Sequence, residues 1–378
     1  MVWLDVRDKK SPHILIINWQ DWLNPLSGGA EVNLREIFTL LTDEFDITLL
    51  CSRFKGAPGF EEIQGIKIYR VGSRNLFNFF VPSSYRKLNR FRRFDLVIED
   101  LNKIPFFGRF FVKEKRMAVL HHLFGRTIYT ETNPMAASYV YFSEKLIPIF
   151  YRDIPIVAVS ESTKENLIKM AIPEENIQVV YNGVDLSFYR SFGELYERPT
   201  VICLGRMKRY KRMDILIESL PEVAREIPNL LILFVGQGDD LPRLMRLAKK
   251  KGLEGVIEFK GYVSDQEKKE ALSRSWVSVN TSPKEGWGLT SMESQSLGTP
   301  SIVPDSPGLR ETVKDNETGY LYPFGSVSRL SGILIDLLKD KEKVIQLGEN
   351  ARRWASNFSW DRSASMMKIF IKEVIKRS

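Results

Sequence analysis

The sequence predicts an α/β protein built from two doubly wound domains that face each other across a cleft. Apolar strand-like runs alternate with amphipathic helix-like segments through most of the 378 residues, which is the pattern of parallel sheets with crossover helices. A chain of this length is also long for one hydrophobic core, and about two or three domains are expected. Because the alternation starts again near residue 200, we expect two sheets of similar size.

The first half supplies one such domain and ends in a turn. Its predicted strands are residues 13–19, 46–51, 66–71, 95–99, 117–120, 154–160 and 177–181, and its helices begin near Gly29, Pro82, Pro134 and Ser162. The sequence Asn-Gly-Val-Asp at 182–185 is a turn signal, and the polar stretch that follows extends to Pro199. We therefore place the linker there, with a first domain of residues 1–185 and a second of residues 186–359.

The second half resumes the alternation and adds two helices at its end. Its predicted strands are residues 200–204, 230–236, 256–263, 276–280, 300–303 and 319–322. In doubly wound sheets, ligands bind at the carboxyl ends of the strands. The cleft between the two domains is therefore the expected binding site.

The composition is ordinary for a soluble globular protein, with 43% hydrophobic and 27% charged residues. No apolar run approaches the roughly 20 residues that span a bilayer, and the apolar segment at residues 13–19 has the shape of a first strand rather than of a signal peptide. Cys51 and Cys203 each end an apolar run, so buried free thiols are predicted. We expect a cytoplasmic protein whose net charge of +8 favours an anionic partner.

Two carboxylates, Glu285 and Glu293, flank a glycine-containing turn between a predicted strand and a predicted helix. The unpaired N–H groups and the dipole at such a helix start attract an anion, and Gly286 and Gly288 let a phosphate approach the main chain. A phosphate would repel the carboxylates, so sugar hydroxyls are their expected partners. These features together predict a sugar-nucleotide site. The alternative is that Glu285 caps a turn and Glu293 is a solvated helix residue.

The stretch at residues 284–294 resembles the E-x7-E motif of retaining glycosyltransferases with the GT-B fold, chiefly those of family 4. The resemblance implies that Glu285 faces the donor sugar and that Glu293 binds the ribose diol. It also implies that backbone amides hold the diphosphate, those of Gly286, Trp287, Gly288 and Leu289. The expected fold has two Rossmann-like domains, with the last helix, residues 360–378, packed back on the first domain.

A run of cations follows the first strand of the second domain. A departing diphosphate needs fixed positive charge beside it where no metal serves it, and Arg206 and Lys211 match the family's Arg and Lys at this place. The sequence has no Asp-x-Asp and no His or Cys spacing suited to a metal, so a metal-independent reaction without a cofactor is predicted. The alternative is that the run is a solvated basic face.

A Gly-Gly-Ala-Glu loop precedes the first helix. By the same resemblance, Gly28 and Gly29 line the cleft opposite the donor phosphates, although such a pair is usually just a tight turn. Glu31 is expected to support the start of the helix. His121 matches the family's histidine near the donor sugar and is assigned to sugar positioning and charge stabilisation, whereas a histidine that ends a strand is more often a satisfied structural residue.

Further family positions follow strands of the second domain. By the resemblance, the backbone meets the nucleotide and its base at Gly236, Gly261, Tyr262 and Val263. Trp287 stands where the family has an aromatic residue, and packing is its expected role. The loop at residues 305–311 departs from the family's usual small-residue pattern because it carries Pro307 and Arg310. The identity of the donor sugar is therefore not predicted.

The resulting hypothesis is a retaining hexosyltransferase that uses a UDP- or GDP-sugar and a glycan or lipid-linked acceptor. A nucleotide-sugar epimerase or hydrolase on the same fold is one alternative. A non-catalytic protein that binds a nucleotide sugar is another, and it would be expected to lack Glu285 or Lys211.

Residues 70–116 hold a charge excess as large as that of the whole chain. They contain twelve Lys or Arg against four Asp or Glu, a net charge of +8, with aromatic residues interleaved. Basic side chains near an anionic leaflet contribute about 1 kcal/mol each and aromatic rings favour the interface, so we predict a peripheral membrane contact. No nucleic-acid motif accompanies the cations, which disfavours nucleic acid. The alternative is a wholly structural role for this region.

Overall fold

The computed structural model describes residues 11–102, 104–190 and 193–377, and it contains one large sheet in each half of the chain. The strands of the first sheet are β1 (His13–Ile17), β2 (Asp46–Arg53), β3 (Phe60–Ile63), β4 (Ile66–Ser73), β5 (Leu96–Leu101), β6 (Lys115–Leu120), β7 (Ile156–Ala158) and β8 (Ile177–Val179). Their order is β3-β4-β2-β1-β5-β6-β7-β8. Every neighbouring pair is parallel except β3 and β4, so the predicted doubly wound architecture is confirmed.

The edge strand β3, which forms a hairpin with the predicted strand β4, is absent from the predicted elements. The two-residue turn of the hairpin consists of Gln64 and Gly65, which have positive φ angles of 51° and 80°. Positive φ at both turn positions suits the right-handed twist of a hairpin. Gln-Gly is a weaker turn signal than Asn-Gly because glutamine adopts positive φ reluctantly, and the short strand before it carries two glutamates.

The helices of the first half follow the expected crossover pattern. They are α1 (Gly29–Thr39), α2 (Phe77–Phe91), α3 (Pro134–Lys145), α4 (Ile147–Phe150) and α5 (Glu161–Lys169). Asn133 caps α3 by accepting the N–H of Ala136 at 3.0 Å. Pro134 occupies the first turn, where a helix does not use the missing N–H.

The predicted helix start near Pro82 is wrong, because α2 begins at Phe77 and the proline lies inside it. Phe77 and Val81 are fully buried in the core beneath the sheet. Their burial, about 1.5–3 kcal/mol for each side chain, offsets the hydrogen bond that a proline removes from a helix.

The second sheet is entirely parallel. Its strands are β9 (Thr200–Leu204), β10 (Leu231–Val235), β11 (Ile257–Gly261), β12 (Val277–Val279), β13 (Ser301–Pro304) and β14 (Gly319–Tyr322), in the order β11-β10-β9-β12-β13-β14. The helices of this half are α6 (Asp214–Glu226), α7 (Leu241–Lys250), α8 (Asp265–Arg274), α9 (Leu289–Ser296), α10 (Val327–Leu338) and α11 (Lys341–Ala355). The strand order reverses between β9 and β12, and ligands bind at such a switch point.

The last helix, α12 (Trp360–Lys376), returns to the first half of the chain. Met367 and Ile371 are buried in the core that contains Ile14 and Ile16 of β1. The predicted crossing back is therefore seen in the structure. The domain limits at residues 185 and 359 stay a prediction.

Alternate residues of the first sheet face two separate cores. Ile14 and Ile16 pack on the side of α1 and α12, whereas Leu15 and Ile17 pack on the side of α2. Leu120 of β6 faces the same side as Leu15 and packs near α4. Helices α2 and α4 therefore cover one face of the sheet, and α1 and α12 cover the other.

Both cysteines lie buried with free thiols, as predicted. Burial raises the pKa of the Cys51 thiol well above its usual value and raises that of Cys203 to about 12. Both thiols are thus protonated and shielded near neutral pH. Within the described residues, no helix combines the length and the apolar character needed to cross a bilayer.

Candidate active site

Lys211 and Glu285 form an ion pair at the carboxyl edge of the second sheet. Lys211 lies in a 3₁₀ turn after β9, and Glu285 lies in the loop after β12, which is the neighbour of β9 in the sheet. The two side chains are only 18% and 17% exposed. Burial disfavours the charged amine, but the Glu285 carboxylate outweighs this effect and raises the pKa of Lys211. The pair therefore holds one cation and one anion at the switch point.

The glycine turn between Glu285 and α9 lies against the first half of the chain. The backbone of Gly286 is so close to the His121 carbonyl that a Cβ there would clash with it. The Leu289 amide donates to the Trp287 carbonyl at 2.9 Å. The preceding amides of the turn have no acceptor among the described residues. Such amides before a helix start suit an anion. That the amides of Gly286, Trp287 and Gly288 hold a diphosphate stays a prediction.

Glu293 lies on α9 and has one satisfied and one unsatisfied oxygen. Its Oε1 accepts hydrogen bonds from the Tyr189 hydroxyl and the Lys268 amine, both at 2.9 Å. Its Oε2 is buried and has no hydrogen-bond partner among the described residues. Leaving a buried carboxylate oxygen without a donor is destabilising. This oxygen is therefore an unsatisfied acceptor, and it is too enclosed in this conformation to meet a ligand directly.

His121 lies at the end of β6 and is oriented by Asp100 at the end of the neighbouring strand β5. The Nε2 atom is 2.8 Å from Asp100 Oδ1, and both side chains are buried. Burial lowers the pKa of the histidine, but the carboxylate outweighs burial and the net pKa is raised. The His121 carbonyl accepts the Thr163 hydroxyl at 3.2 Å. Asp100 is not among the predicted site residues. Its position directly after the predicted strand at residues 95–99 was an available signal.

Glu31 supports the start of α1, as expected, and it also ties the loop before that helix to β5. Its Oε2 accepts the N–H of Gly28 at 2.7 Å, and its Oε1 accepts the Asn102 amide at 3.0 Å. Burial raises the pKa of Glu31. These hydrogen bonds fix the position of the Gly-Gly loop.

The Gly-Gly loop meets the second half of the chain at two places. A Cβ on Gly28 would lie 3.2 Å from the Arg206 guanidinium, and one on Gly29 would lie 3.4 Å from the Leu289 side chain. Arg206 follows β9, and Leu289 begins α9. The loop, the arginine and the start of α9 therefore lie against one another where the two halves of the chain meet.

Family models match both halves of the chain. Residues 27–188 match the model described as Glycosyltransferase Family 4, and residues 188–354 match the model described as Glycosyl transferases group 1. The chain belongs to glycosyltransferase family 4, group 1. The predicted family is thereby confirmed, and the role of the E-x7-E stretch stays a prediction.

Curated relatives agree with this assignment. A GDP-mannose-dependent alpha-(1-6)-phosphatidylinositol monomannoside mannosyltransferase of Mycobacterium tuberculosis is 27% identical over 57% of this chain and 61% of its own length. The chain thus spans less than two thirds of the length of that relative. An uncharacterized glycosyltransferase of Methanocaldococcus jannaschii is 24% identical over 96% of this chain and 99% of its own length.

Solved structures share the fold of this family 4 protein. Sucrose-phosphate synthase from Thermosynechococcus elongatus has a TM-score of 0.81 at 18% identity, over 97% of this chain and 100% of that structure. The HepE protein of Anabaena, in complex with UDP, has a TM-score of 0.75 at 18% identity, over 96% and 100% of the two chains. At such identity the likeness shows the fold alone, and that fold is GT-B.

The family 4 positions expected to meet the nucleotide lie on the loops after β10 and β11. The N–H of Gly236 donates to the Gly261 carbonyl at 2.8 Å, which joins the two loops. Tyr262 is 79% exposed, so its ring is free to stack on a base. Val263 packs against the core that contains Trp287. Contact between these residues and a nucleotide stays a prediction.

Trp287 has the packing role expected of the family's aromatic residue. It is buried, and its ring centroid lies 4.7 Å from that of Tyr181 and 5.3 Å from that of Phe358. Its indole N–H is buried without a partner among the described residues. The side chain thus helps to hold the glycine turn in place.

Three charged residues at the cleft were missed by the sequence reasoning. Glu311 accepts the N–H groups of Glu161 and Ser162, at 2.7 and 2.9 Å, and so caps α5 from the other half of the chain. Lys284 is partly buried, and burial lowers its pKa while Glu144 opposes the shift. The Glu144 carboxylate accepts the two amides that begin the 3₁₀ turn after the histidines. Glu311 lies 150 residues from its partner, so no local pattern could reveal this contact.

Only some of the cations and aromatic residues in 70–116 lie on the surface that was predicted for them. Arg70 is buried and paired with Asp21 at 2.7 Å and Glu61 at 2.8 Å, so its prediction as a surface cation is wrong. Lys103 lies outside the described residues. Several aromatic residues belong to the core, namely Phe77, Tyr85, Phe94 and Phe106. Those that are exposed are Phe79, Phe80, Phe91 and Phe110.

Proposed function

We propose that this family 4 protein transfers a hexose from a UDP- or GDP-sugar to a hydroxyl of a glycan or lipid-linked acceptor, with retention of the anomeric configuration. The observation that carries the proposal is the Lys211 and Glu285 pair, which lies beside uncapped amides at the start of α9. A cation and free amides suit a diphosphate, and a carboxylate suits sugar hydroxyls. The charged diphosphate and the uncharged sugar of the donor therefore have separate partners.

The remaining site residues divide the donor between them. Arg206 and Lys211 neutralise the diphosphate and stabilise its growing charge as it departs. Glu293 is proposed to bind the ribose diol. His121, oriented by Asp100, positions the sugar and stabilises charge near the anomeric carbon. In this arrangement the acceptor approaches from the side of the first half of the chain.

Retention is proposed to follow from departure and attack on the same face of the sugar. The departing phosphate steers the acceptor hydroxyl and takes up its proton, and the cations hold that phosphate in place. No cluster of three or more potential metal ligands occurs among the described residues. The two cations Arg206 and Lys211 can supply the positive charge instead, so we propose a metal-independent reaction.

Named relatives support a nucleotide-sugar donor. The mycobacterial relative is named for GDP-mannose, and the Anabaena structure contains UDP. The two names indicate different bases, guanine and uracil, so the proposal includes both as the base of this protein's donor. The exposed Tyr262 is available to stack on either base.

A panel of UDP-, GDP- and ADP-sugars tests the proposal by thermal shift. A donor at about 100 times its dissociation constant stabilises the protein by roughly 2.7 kcal/mol. The stabilising donor is then incubated with and without acceptor saccharides and lipids. Product that forms without acceptor would favour an epimerase or hydrolase, and binding without any product would favour a non-catalytic protein. Stabilisation by none of the nucleotide sugars would contradict the proposed site.

The two glutamates are expected to respond differently to substitution. Glu293→Gln should weaken both the complete donor and the free nucleotide diphosphate, because both contain the ribose. Glu285→Gln should weaken only the complete donor, since it removes no ribose contact and releases Lys211 to bind diphosphate. Calorimetric titration with each ligand measures the four affinities. Equal losses of nucleotide diphosphate affinity in both variants would contradict this division.

The protein is also proposed to contact an anionic membrane through the outer face of α2. This face carries Arg86, Lys87 and Arg90, and α2 contains no acidic residue. Arg92 is paired with Asp46, so it is less available to lipid. The remaining cations can each contribute about 1 kcal/mol near anionic headgroups, which would support a peripheral cytoplasmic enzyme with a lipid-linked acceptor.

Reversing Arg86, Lys87 and Arg90 to Glu is expected to weaken binding to phosphatidylglycerol vesicles at low salt by at least about a hundredfold, given about 1 kcal/mol for each cation. Vesicle flotation measures this change. Reversal of three exposed cations on α7, in the second half of the chain, is the matched control: Arg246, Lys249 and Lys250. Equal losses in both triple variants would show a nonspecific effect of net charge.

A further inference from the structure

Helices α3 and α4 expose a continuous row of large apolar side chains. Met135, Tyr139, Phe142, Leu146 and Ile149 are between 38% and 85% exposed. Their spacing of four and three residues places them on one side of a helix. Leu146 has helical backbone angles and joins the two helices, so the row continues from one to the other. We call these five residues the apolar row.

The apolar row is extended by the loop between β5 and β6. Phe110 is 71% exposed, and its ring lies 5.1 Å from that of Phe150 in α4. Single exposed apolar residues are common on soluble proteins, but contiguous groups mark surfaces that bind a partner or a membrane. The apolar row is therefore expected to bind a partner or a membrane.

The apolar row lies on the same side of the molecule as the basic face of α2. Ile147 of α4 and Phe77 of α2 are both buried on the face of the first sheet that carries Leu15 and Leu120. Helices α1 and α12 cover the opposite face. The basic helix and the apolar row thus form two parts of one side.

Charges around the apolar row favour an anionic bilayer over a second copy of the chain. Arg109, Lys145 and Arg152 are exposed at its margin, and Asp153 lies 3.8 Å from Arg109. Glu175 is also exposed, next to Asn176, which donates to the Arg152 carbonyl, so cations outnumber acids in this set by three to two. Two copies that met through this side would bring like charges together, which is unfavourable. Anionic lipid headgroups would instead pair with the cations while apolar and tyrosine side chains entered the interface.

Helix α3 connects the apolar row on its outer side with residues near the candidate active site on its inner side. Glu144, on the buried side of α3, accepts the N–H groups of Phe124 and Gly125 at 2.6 and 2.7 Å. These two residues follow His121 closely in the chain, and the 3₁₀ segment they begin lies against the one that contains Lys211. The part of the apolar row that lies on α3 is therefore beside the opening of the cleft.

We propose that the apolar row inserts into the interface of an anionic bilayer and holds the cleft opening beside His121 at the lipid surface. This inference deepens the proposed function, since it identifies the acceptor as lipid-linked. The cations of α2 attract the protein to the bilayer, and the apolar row retains it there. Binding through the apolar row is less sensitive to salt than binding through the cations alone.

Flotation of the Phe142→Ser, Ile149→Ser double variant tests the inference. The vesicles contain phosphatidylcholine with or without phosphatidylglycerol, and binding is measured at low salt and again at high salt. We expect the double variant to partition at least about tenfold less than wild type onto phosphatidylglycerol vesicles. Ile369→Ser is the matched control, because Ile369 is 58% exposed on α12 at the opposite face. Equal partitioning of the double variant and the control would overturn the inference.

A second measurement reports insertion directly. Cys51 and Cys203 are buried, so Phe142→Cys can be labelled selectively with an environment-sensitive dye, and Ile369→Cys serves as the control. Vesicles should shift the emission of the dye at position 142 and leave that at position 369 unchanged. A dye at 142 that stays in water while the protein binds vesicles would overturn the inference.

Two solution measurements separate this inference from its rivals. The double variant should retain the thermal shift with the nucleotide sugar, because the donor site lies away from the apolar row. Loss of that shift together with vesicle binding would instead indicate misfolding or a failure of the proposed function. Sedimentation without lipid should show no change in mass between wild type and the double variant. A dimer that becomes a monomer on substitution would assign the apolar row to self-association and overturn the inference.

Discussion

Replacing Lys211 by Ala is expected to lower kcat by on the order of 10² to 10³. Lys211 is held by Glu285 in a largely buried position, where its charge acts strongly on a diphosphate that becomes more negative as it departs. Its contribution should therefore be larger in the transition state than in the bound ground state. Steady-state kinetics with the stabilising donor measure kcat and KM separately. A change confined to KM would show that the lysine binds the ground state and the transition state equally.

The matched control for this substitution is Lys208→Ala. Lys208 belongs to the same cation run but is 42% exposed and paired with Asp239 at 2.8 Å. Its loss should change kcat by less than about fivefold, since a surface ion pair contributes about 0–1 kcal/mol. Wild-type activity should also survive EDTA, because the two site cations are proposed to take the place of a metal. Abolition of activity by the chelator, with recovery on adding a divalent ion, would contradict that proposal.

Local patterns in the sequence predicted the features that depend on neighbouring residues. The alternation of apolar runs predicted both sheets, since a parallel strand buried on both faces is apolar throughout. The glycine turn before α9 was predicted because Gly286 and Gly288 allow a close approach of the main chain. In the structure these positions lie against His121 and Leu309, and the predicted approach of a phosphate to them stays a prediction.

Features that depend on distant residues could not be predicted in the same way. Arg70 is one of many cations in its region, and its burial follows from Asp21 and Glu61, which only the folded chain brings to it. The pairing of Lys211 with Glu285 likewise joins residues 74 positions apart. The sequence indicated both as site residues, but it contained no signal that each is the other's partner.

The roles of individual site residues are a further step beyond what fold and family establish. Glu293 illustrates the difference, because the structure holds its Oε1 with Tyr189 and Lys268, two contacts that the motif alone does not show. Tyr262 illustrates the opposite case, since an exposed ring is compatible with base stacking without requiring it.

Replacing Gly286 by Ala is expected to lower kcat/KM by on the order of 10², the loss that a displacement of about 1 Å can cause. The φ angle of Gly286 is not positive, so alanine is allowed there by the backbone. The added Cβ would instead clash with the His121 carbonyl of the facing half of the chain, and it would approach a Val159 methyl group to 3.5 Å. The expected defect is therefore a cleft that cannot close to its normal distance.

Two readouts identify this cause of the defect. Free nucleotide diphosphate should still stabilise Gly286→Ala, because Arg206, Lys211 and Glu293 all belong to the second half of the chain and keep their places. Gly332→Ala is the matched control, since no atom lies within 4 Å of a Cβ there, and alanine in a helix should leave activity unchanged and add about 0.5–1 kcal/mol of stability. Wild-type kcat/KM in Gly286→Ala would contradict the need for close contact between the glycine turn and His121. Loss of nucleotide diphosphate binding would show that the substitution disrupts the turn itself rather than the approach of the two halves.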